Sequence, residues 1–217
     1  MYLRIPIPVG QPPNLETVKW MMWAARFTNM NMGVHETNAG IADARNQICE
    51  DFLKTDKGKD DYVWMVDSDT VPPARLMKGD QDILCGLYQH MIFNFGKPRL
   101  VWSAWSEMED GYVPVVNFKE GKQIVDAAGT GCIRISRKAL EKIPSPWFEN
   151  HYDGNSRHLT LGEDYDFCQK AKKAGVKVWI DPKYLCHHMK MASLSVVANA
   201  ALAPYAPQEE EVAVEGS

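Results

Sequence analysis

The sequence predicts a single α/β domain with a mixed, mainly parallel central sheet flanked by helices. Three observations carry that expectation. Strand-like and helix-like segments alternate in the order β-α-β-α-β as far as Asp67. The third of those strands, "YVWMV" at 62–66, is apolar throughout, as a strand covered on both faces has to be. An apolar share of 45% in 217 residues also fills one core without calling for a second.

Taken in order, "YLRIPIPV" reads as the first strand and "NLETVKWMMWAARF" as a helix capped by Asn14, after Pro12 and Pro13. "MGVHET" is the second strand. "IADARNQICEDFLK" then places Ile41, Ala44, Ile48 and Phe52 on one inward helical stripe, and "YVWMVD" is the third strand. The second half is mixed. "PPARLM" offers a short helix that Asp69 can cap; "DILCGLY", "RLVWSAW", "YVPVVNF" and "GCIRIS" read as strands. "RKALEKI" and "EDYDFCQKAKKAG" read as helices, the latter closed by Gly175, and "VKVWID" as a further strand. "SLSVVANAALA" suggests a docking helix, and 204–217 has the composition of a disordered acidic tail.

Charge and composition exclude several function classes. The net charge is −4, and the terminal "QEEEVAVEGS" holds four glutamates, so the rest of the chain is balanced and carries no basic footprint for nucleic acid or a membrane surface. The N-terminus lacks the basic and apolar regions of a signal peptide, and no stretch approaches the roughly 18 apolar residues of a membrane span. A cytoplasmic protein without stable membrane insertion is expected. The five cysteines form no CxxC pair and sit in apolar segments, which predicts buried, reduced thiols; Cys186 beside His187 and His188 is the one with metal-ligand neighbours.

The chemistry concentrates at strand ends. In "DYVWMVDSDTVPP", Asp67 and Asp69 flank Ser68 just past the third strand, where parallel sheets bind their ligands. In an extended turn the two carboxylates point the same way and reach one hard divalent cation. Arg45 shares the inward stripe of its helix and therefore needs an anionic partner, either a diphosphate or a carboxylate of the protein. "LGEDYDFC" puts Glu163, Asp164 and Asp166 in the first turn of a helix behind Gly162, which caps the macrodipole or aims a carboxylate at a hydroxyl in a cleft. His187 and His188 follow another strand, and one of them faces the cleft.

"IPIP", "IADARN", "DYVWMVDSDTVPP", "GTGCIRISRKAL…PWFEN" and "LGEDYDFC…AGVKVWIDP…HH", in that order over about residues 3 to 190, resemble the nucleotide-sugar-dependent glycosyltransferases of the GT-A fold, especially the family 2-like group. The resemblance implies a GT-A-like, Rossmann-like domain over 1–203, with a donor half at about 1–90 and an acceptor half at about 91–203. It implies a metal-dependent glycosyltransferase that moves a sugar from a UDP or GDP type donor to an acceptor hydroxyl, on a glycan, lipid, protein or nucleic acid. Pro6 and Pro8 would border the nucleobase, with Glu36 at the second strand a further contact, and Arg45 would lie near the diphosphate. Asp67, Ser68 and Asp69 would hold the ribose and a Mn²⁺ or Mg²⁺ ion, and His188, seven residues after Asp181, would complete the metal set. Asp164 would be the base, with Glu163 beside it. Gly129 and Gly131 in "AAGTGC", and Gly162, would allow close backbone approach, and Trp147 with Phe148 would form a platform for a sugar ring.

Two departures qualify the likeness. The first strand lacks the usual Thr-Tyr-Asn after its proline, and no additional domain reveals an acceptor. A nucleotidyltransferase on a related core is one alternative, although it would carry a glycine-rich basic loop where this chain has "IPVGQPPNLE". A non-catalytic sugar-binding module is the other.

Overall fold

The structure, a computed structural model, describes residues 1–28, 30–56, 58, 61–94, 97–154 and 158–190. The segments read above as a docking helix and an acidic tail lie outside the described residues. The amino-terminal part runs β1 (Tyr2–Pro8), α1 (Leu15–Phe27), β2 (Asn31–Thr37), α2 (Ile41–Lys54), β3 (Tyr62–Val66), β4 (Thr70–Val71) and β5 (Ile83–Leu87). A run of short strands follows: β6 (Gln89–Asn94), β7 (Lys97–Trp102), β8 (Ala104–Met108), β9 (Gly111–Pro114), β10 (Gln123–Val125), β11 (Ala127–Ala128) and β12 (Cys132–Ser136). The described chain closes with α3 (Arg137–Lys142), β13 (His151–Tyr152), β14 (Leu159–Leu161), α4 (Glu163–Lys173), β15 (Val178–Leu185) and β16 (His187–His188).

Seven strands form the central sheet, in the order β10-β15-β5-β12-β3-β1-β2. β2, β1, β3, β5 and β15 run one way, while β12 is antiparallel to both its neighbours and β10 to β15. The predicted mixed, mainly parallel sheet is therefore the one observed. Alternate residues of each strand enter two apolar layers. Leu3, Ile5, Trp64 and Val66 pack with Trp20 and Ala24 of α1. Val63, Met65, Ile83, Ile133 and Ile180 pack with Ile48 and Phe52 of α2, Leu140 of α3 and Phe167 of α4. Cover on both faces is why "YVWMV" and "ILCGL" carry no polar residue.

The prolines of "IPIP" shape the sheet edge. The Val9 amide donates to Thr37 O at 3.0 Å, so odd residues of β1 direct their amides to β2 and even ones to β3. Pro6 and Pro8 have no amide hydrogen to give, and the β1–β3 ladder stops at Arg4. The crevice left between the carboxyl ends of β1 and β3 is the topological switch point, since the chain leaves β1 outward for β2 and returns across it to β3.

Helix ends follow the chemistry of the sequence. Asn14 Oδ1 accepts the Glu16 amide at 2.9 Å, as a capping asparagine should. α4 closes with Gly175 at φ +66, its amide on Lys172 O and the Val176 amide on Ala171 O, the paired bonds of a Schellman turn. The carboxyl end of α2 is closed from outside, where the buried Arg137 guanidinium donates to the carbonyls of Phe52, Leu53 and Thr55.

Four expectations need correction. "PPARLM" forms no helix: Thr70 and Val71 pair with His188 and His187 instead, so Asp69 caps nothing. "RLVWSAW" is two strands, because Ser103 exchanges hydrogen bonds with the Tyr88 backbone and the chain changes partners there. "YVPVVNF" is strand only as far as Pro114. Ile41 opens α2 at the surface, 37% exposed, rather than on the buried stripe.

Candidate active site

At the carboxyl ends of β3 and β5 the chain gathers its charges around one buried cation. Arg45 of α2 is 2% exposed and lies against the Phe148 ring. Its Nη2 donates to both oxygens of Asp67, at 2.9 and 3.1 Å, and its Nη1 donates to Glu163 Oε1 at 2.7 Å and Asp164 Oδ1 at 3.3 Å. The expected anionic partner of Arg45 is thus a set of three carboxylates. Burial works against the guanidinium charge, but Asp67, Asp164 and Glu163 outweigh it and hold the proton more tightly than usual. Three carboxylates against one guanidinium leave a net negative site.

Glu163 and Asp164 reach Arg45 together because they open α4 from an extended Gly162 that has no side chain to cap with. Asn150 caps in its place, its Oδ1 accepting the Glu163 amide at 3.1 Å. Asn46, next to Arg45, holds that loop by two bonds to the backbone of Phe148, at 2.8 and 3.0 Å. Asp164 is 27% exposed and also accepts a short hydrogen bond from Thr130 Oγ1. Burial, opposed by Arg45 and reinforced by Glu163, raises its pKa from 3.8 to about 6.

Asp69 belongs to a second group one step along the edge. Asp67 O accepts the Thr70 amide at 3.0 Å, so residues 67–70 form a tight turn, not an extended segment, and the two carboxylates take separate partners. Asp69 Oδ2 faces His188 Nε2 at 3.6 Å and pairs with Lys190 Nζ. Burial resists the charge, yet His188 and Lys190 pull the Asp69 pKa down to about 2. His188 points inward and His187 outward, as expected of neighbours on an extended chain. Asp69 Oδ2 and His188 Nε2, a carboxylate and an imidazole, are two donor atoms of the kind that suit a divalent cation, and Lys190 Nζ now pairs with the carboxylate. Asp67 fits that role less well than expected, since Arg45 holds both its oxygens.

The remaining predicted residues divide. Pro6 is buried and Pro8 exposed along the β1 crevice, Ser68 is half-buried in the turn with its carbonyl on the Asn14 amide at 2.8 Å, and Glu36 is exposed on the edge strand β2. Trp147 is no sugar platform: it is 5% exposed in the core, with Nε1 donating to Leu140 O at 3.0 Å, and Phe148 stacks on Phe167 at 4.5 Å. The amides of Gly129 and Gly131 do not face a ligand either, being taken by Ser103 O and Tyr88 Oη. Gly162 borders open space, with nothing within 4 Å of where a Cβ would stand. Cys186 is buried with the other four free thiols and joins no metal group among the described residues.

Among the described residues, Glu149, His151 and Asp166 bring ligand atoms within 4.8 Å of one another. Lys170 already neutralises that group, with Nζ 2.5 Å from Glu149 and 2.8 Å from Asp166. Sequence reasoning passed over Thr130, Tyr88, Asn150 and Lys190. Thr130 stands between the two glycines singled out in "AAGTGC", and Lys190 two residues past His188; the others gave no signal.

No family profile and no curated protein matches this sequence. Solved structures do match in fold. A197 from STIV aligns with a TM-score of 0.55 at 16% identity, over 88% of this chain and 96% of that one. The crystal structure of GalNAc-T7 with UDP, GalNAc and Mn²⁺ aligns with a TM-score of 0.50 at 11% identity, over 88% of this chain and 43% of that one. The fold is GT-A-like, as the sequence resemblance implied, and at these identities the likeness concerns the fold. No helix among the described residues is long and apolar enough to cross a membrane.

Proposed function

We propose that the chain is a glycosyltransferase that moves a sugar from a nucleoside diphosphate to an acceptor hydroxyl with the help of a divalent cation. The observation that carries this reading is the juxtaposition at one sheet edge of the Arg45-centred carboxylates and the Asp69–His188 pair. A diphosphate is anionic and the Arg45 site is net negative, so the donor needs a cation to enter it. Asp69 and His188 are the residues to hold that ion, and when bound it neutralises the leaving diphosphate. Mn²⁺ and UDP, which the GalNAc-T7 structure contains, are the first ion and nucleotide to try.

Asp164 is assigned as the base. Thr130 and Arg45 hold its Oδ1, which leaves Oδ2 to take the acceptor proton. As the acceptor oxygen bonds to the anomeric carbon, the anomeric C–O bond to the diphosphate breaks and the leaving group takes the electron pair. In-line attack of this kind inverts the anomeric centre. A carboxyl with a pKa of about 6 is ionised at neutral pH yet basic enough to accept a proton.

One observation favours a second reading. Both Asp67 and Asp69 are paired with protein cations, Asp67 with Arg45 and Asp69 with Lys190, as in a sugar-binding module that no longer needs an ion. A thermal-shift panel of UDP, GDP and their sugars, with and without Mn²⁺, separates the two. The transferase reading expects a shift that requires Mn²⁺ and disappears in Asp69→Asn and His188→Ala. Shifts unaffected by metal and by both substitutions favour the binding module.

A further inference from the structure

We infer that Tyr88 is the positioning residue that ties the base to the metal ligand. This rests on the reading above and extends it to a residue that no motif singled out. Tyr88 follows β5 and is 5% exposed. Its Oη accepts the Gly131 amide at 3.1 Å, and the carbonyl of that same residue accepts the Asp67 amide at 2.8 Å. The preceding residue, Thr130, donates to Asp164. The Tyr88 ring also meets His188 edge-on, with centroids 5.0 Å apart. One buried side chain therefore touches the turn that fixes Asp67 and Asp164 and also the imidazole that faces Asp69.

The glycines on either side of Thr130 exist for this contact. A Cβ on Gly129 would stand 2.3 Å from Tyr88 Oη, and one on Gly131 would stand 2.9 Å from it. Neither glycine has a left-handed φ that would demand glycine for conformational reasons. Their function is to admit the phenol, so "GTG" in "AAGTGC" is a socket for Tyr88 and not a cradle for phosphate.

The two ends of Tyr88 separate by substitution. Tyr88→Phe removes the bond to Gly131 and keeps the ring on His188. Tyr88→Leu removes both. The expected result is that Tyr88→Phe binds UDP·Mn²⁺ within about twofold of the parent and loses roughly tenfold in donor hydrolysis or transfer, near the worth of one neutral hydrogen bond. Tyr88→Leu should lose both affinity and turnover. Folding is checked by melting temperature, and two NMR signals read the contacts without activity. The Gly131 amide resonance should move in both variants, whereas the His188 ring resonance should move only in Tyr88→Leu. Loss of affinity and turnover in equal proportion in both variants, or Tyr88→Phe turning over at the parent rate, would overturn the inference. A parent protein that binds no nucleotide with any metal would instead overturn the transferase reading, and the two resonances would still test the bracing by Tyr88.

Discussion

Arg45 holds Asp67 with one arm: its Nη2 spans both carboxylate oxygens while Nη1 is shared by Glu163 and Asp164. A single planar cation thus joins the end of β3 to the start of α4. Lysine cannot reproduce this, because an ammonium is a point charge with no second arm. Arg45→Lys should therefore lose stability, and Arg45→Met more so, by about 3–5 kcal/mol, since three partly buried carboxylates lose their counter-charge. Urea unfolding at pH 7 measures it. A loss under about 1 kcal/mol for Arg45→Met would show that solvent already compensates the carboxylates.

Lys190 and a divalent cation compete for Asp69 Oδ2 under the transferase reading. Removing the lysine should tighten the ion, and Lys190→Ala is expected to bind Mn²⁺ several-fold more strongly in the presence of UDP. Calorimetry decides it. Weaker Mn²⁺ binding would mean that Lys190 supports the nucleotide instead of standing in for the ion.

Trp147 separates core from cleft. Its indole is buried and bonded to Leu140 O, so Trp147→Ala should cost about 3–5 kcal/mol and leave nucleotide affinity unchanged in the fraction that stays folded. Urea titration beside UDP·Mn²⁺ calorimetry tests both halves. A stable variant with weakened ligand binding would restore the platform reading.

The limits of sequence reasoning have physical causes at particular residues. Periodicity and capping chemistry made β1, β3, α1, α2 and α4 readable, because each buries side chains whose spacing is local in the chain, and the alternation of elements placed β2 between them. Arg45 was readable for the same reason: a charge on an apolar stripe requires a partner. The identity of that partner was not, since Asp67 lies 22 residues away and Glu163 118. Asp67 and Asp69 looked like one cation clamp because spacing alone cannot distinguish an extended turn from the tight one closed by the Thr70 amide. Trp147 and the glycines of "AAGTGC" were assigned to a ligand because a buried aromatic and an exposed one are written with the same letter, and the phenol that fills the glycine socket comes from 41 residues before Gly129.

Asp164 sets the acid limit of the proposed reaction, with opposite signs for stability and for turnover. Its folded pKa of about 6 lies above the ordinary 3.8, because burial and the neighbouring Glu163 disfavour the charge more than Arg45 favours it. The protonated form is the one the fold prefers. Its stabilising contribution is complete below about 3.8 and is lost as the pH rises through about 6. A base has to be ionised, so transfer should decline with a limiting slope of one as the pH falls below about 6, in a range where this group does not weaken the fold. Asp164→Asn keeps the shape and removes the acceptance of the proton. It should lower transfer by roughly 10² to 10⁴ and leave donor affinity intact. It should also abolish the part of the stability change between pH 4.5 and 7 that the parent owes to this carboxyl. The measurements are single-turnover rates from pH 5 to 8 and urea midpoints at the two pH values, for parent and variant together. Transfer by the variant at nearly the parent rate would remove Asp164 as the base and favour a retaining route, or an acceptor that supplies its own base.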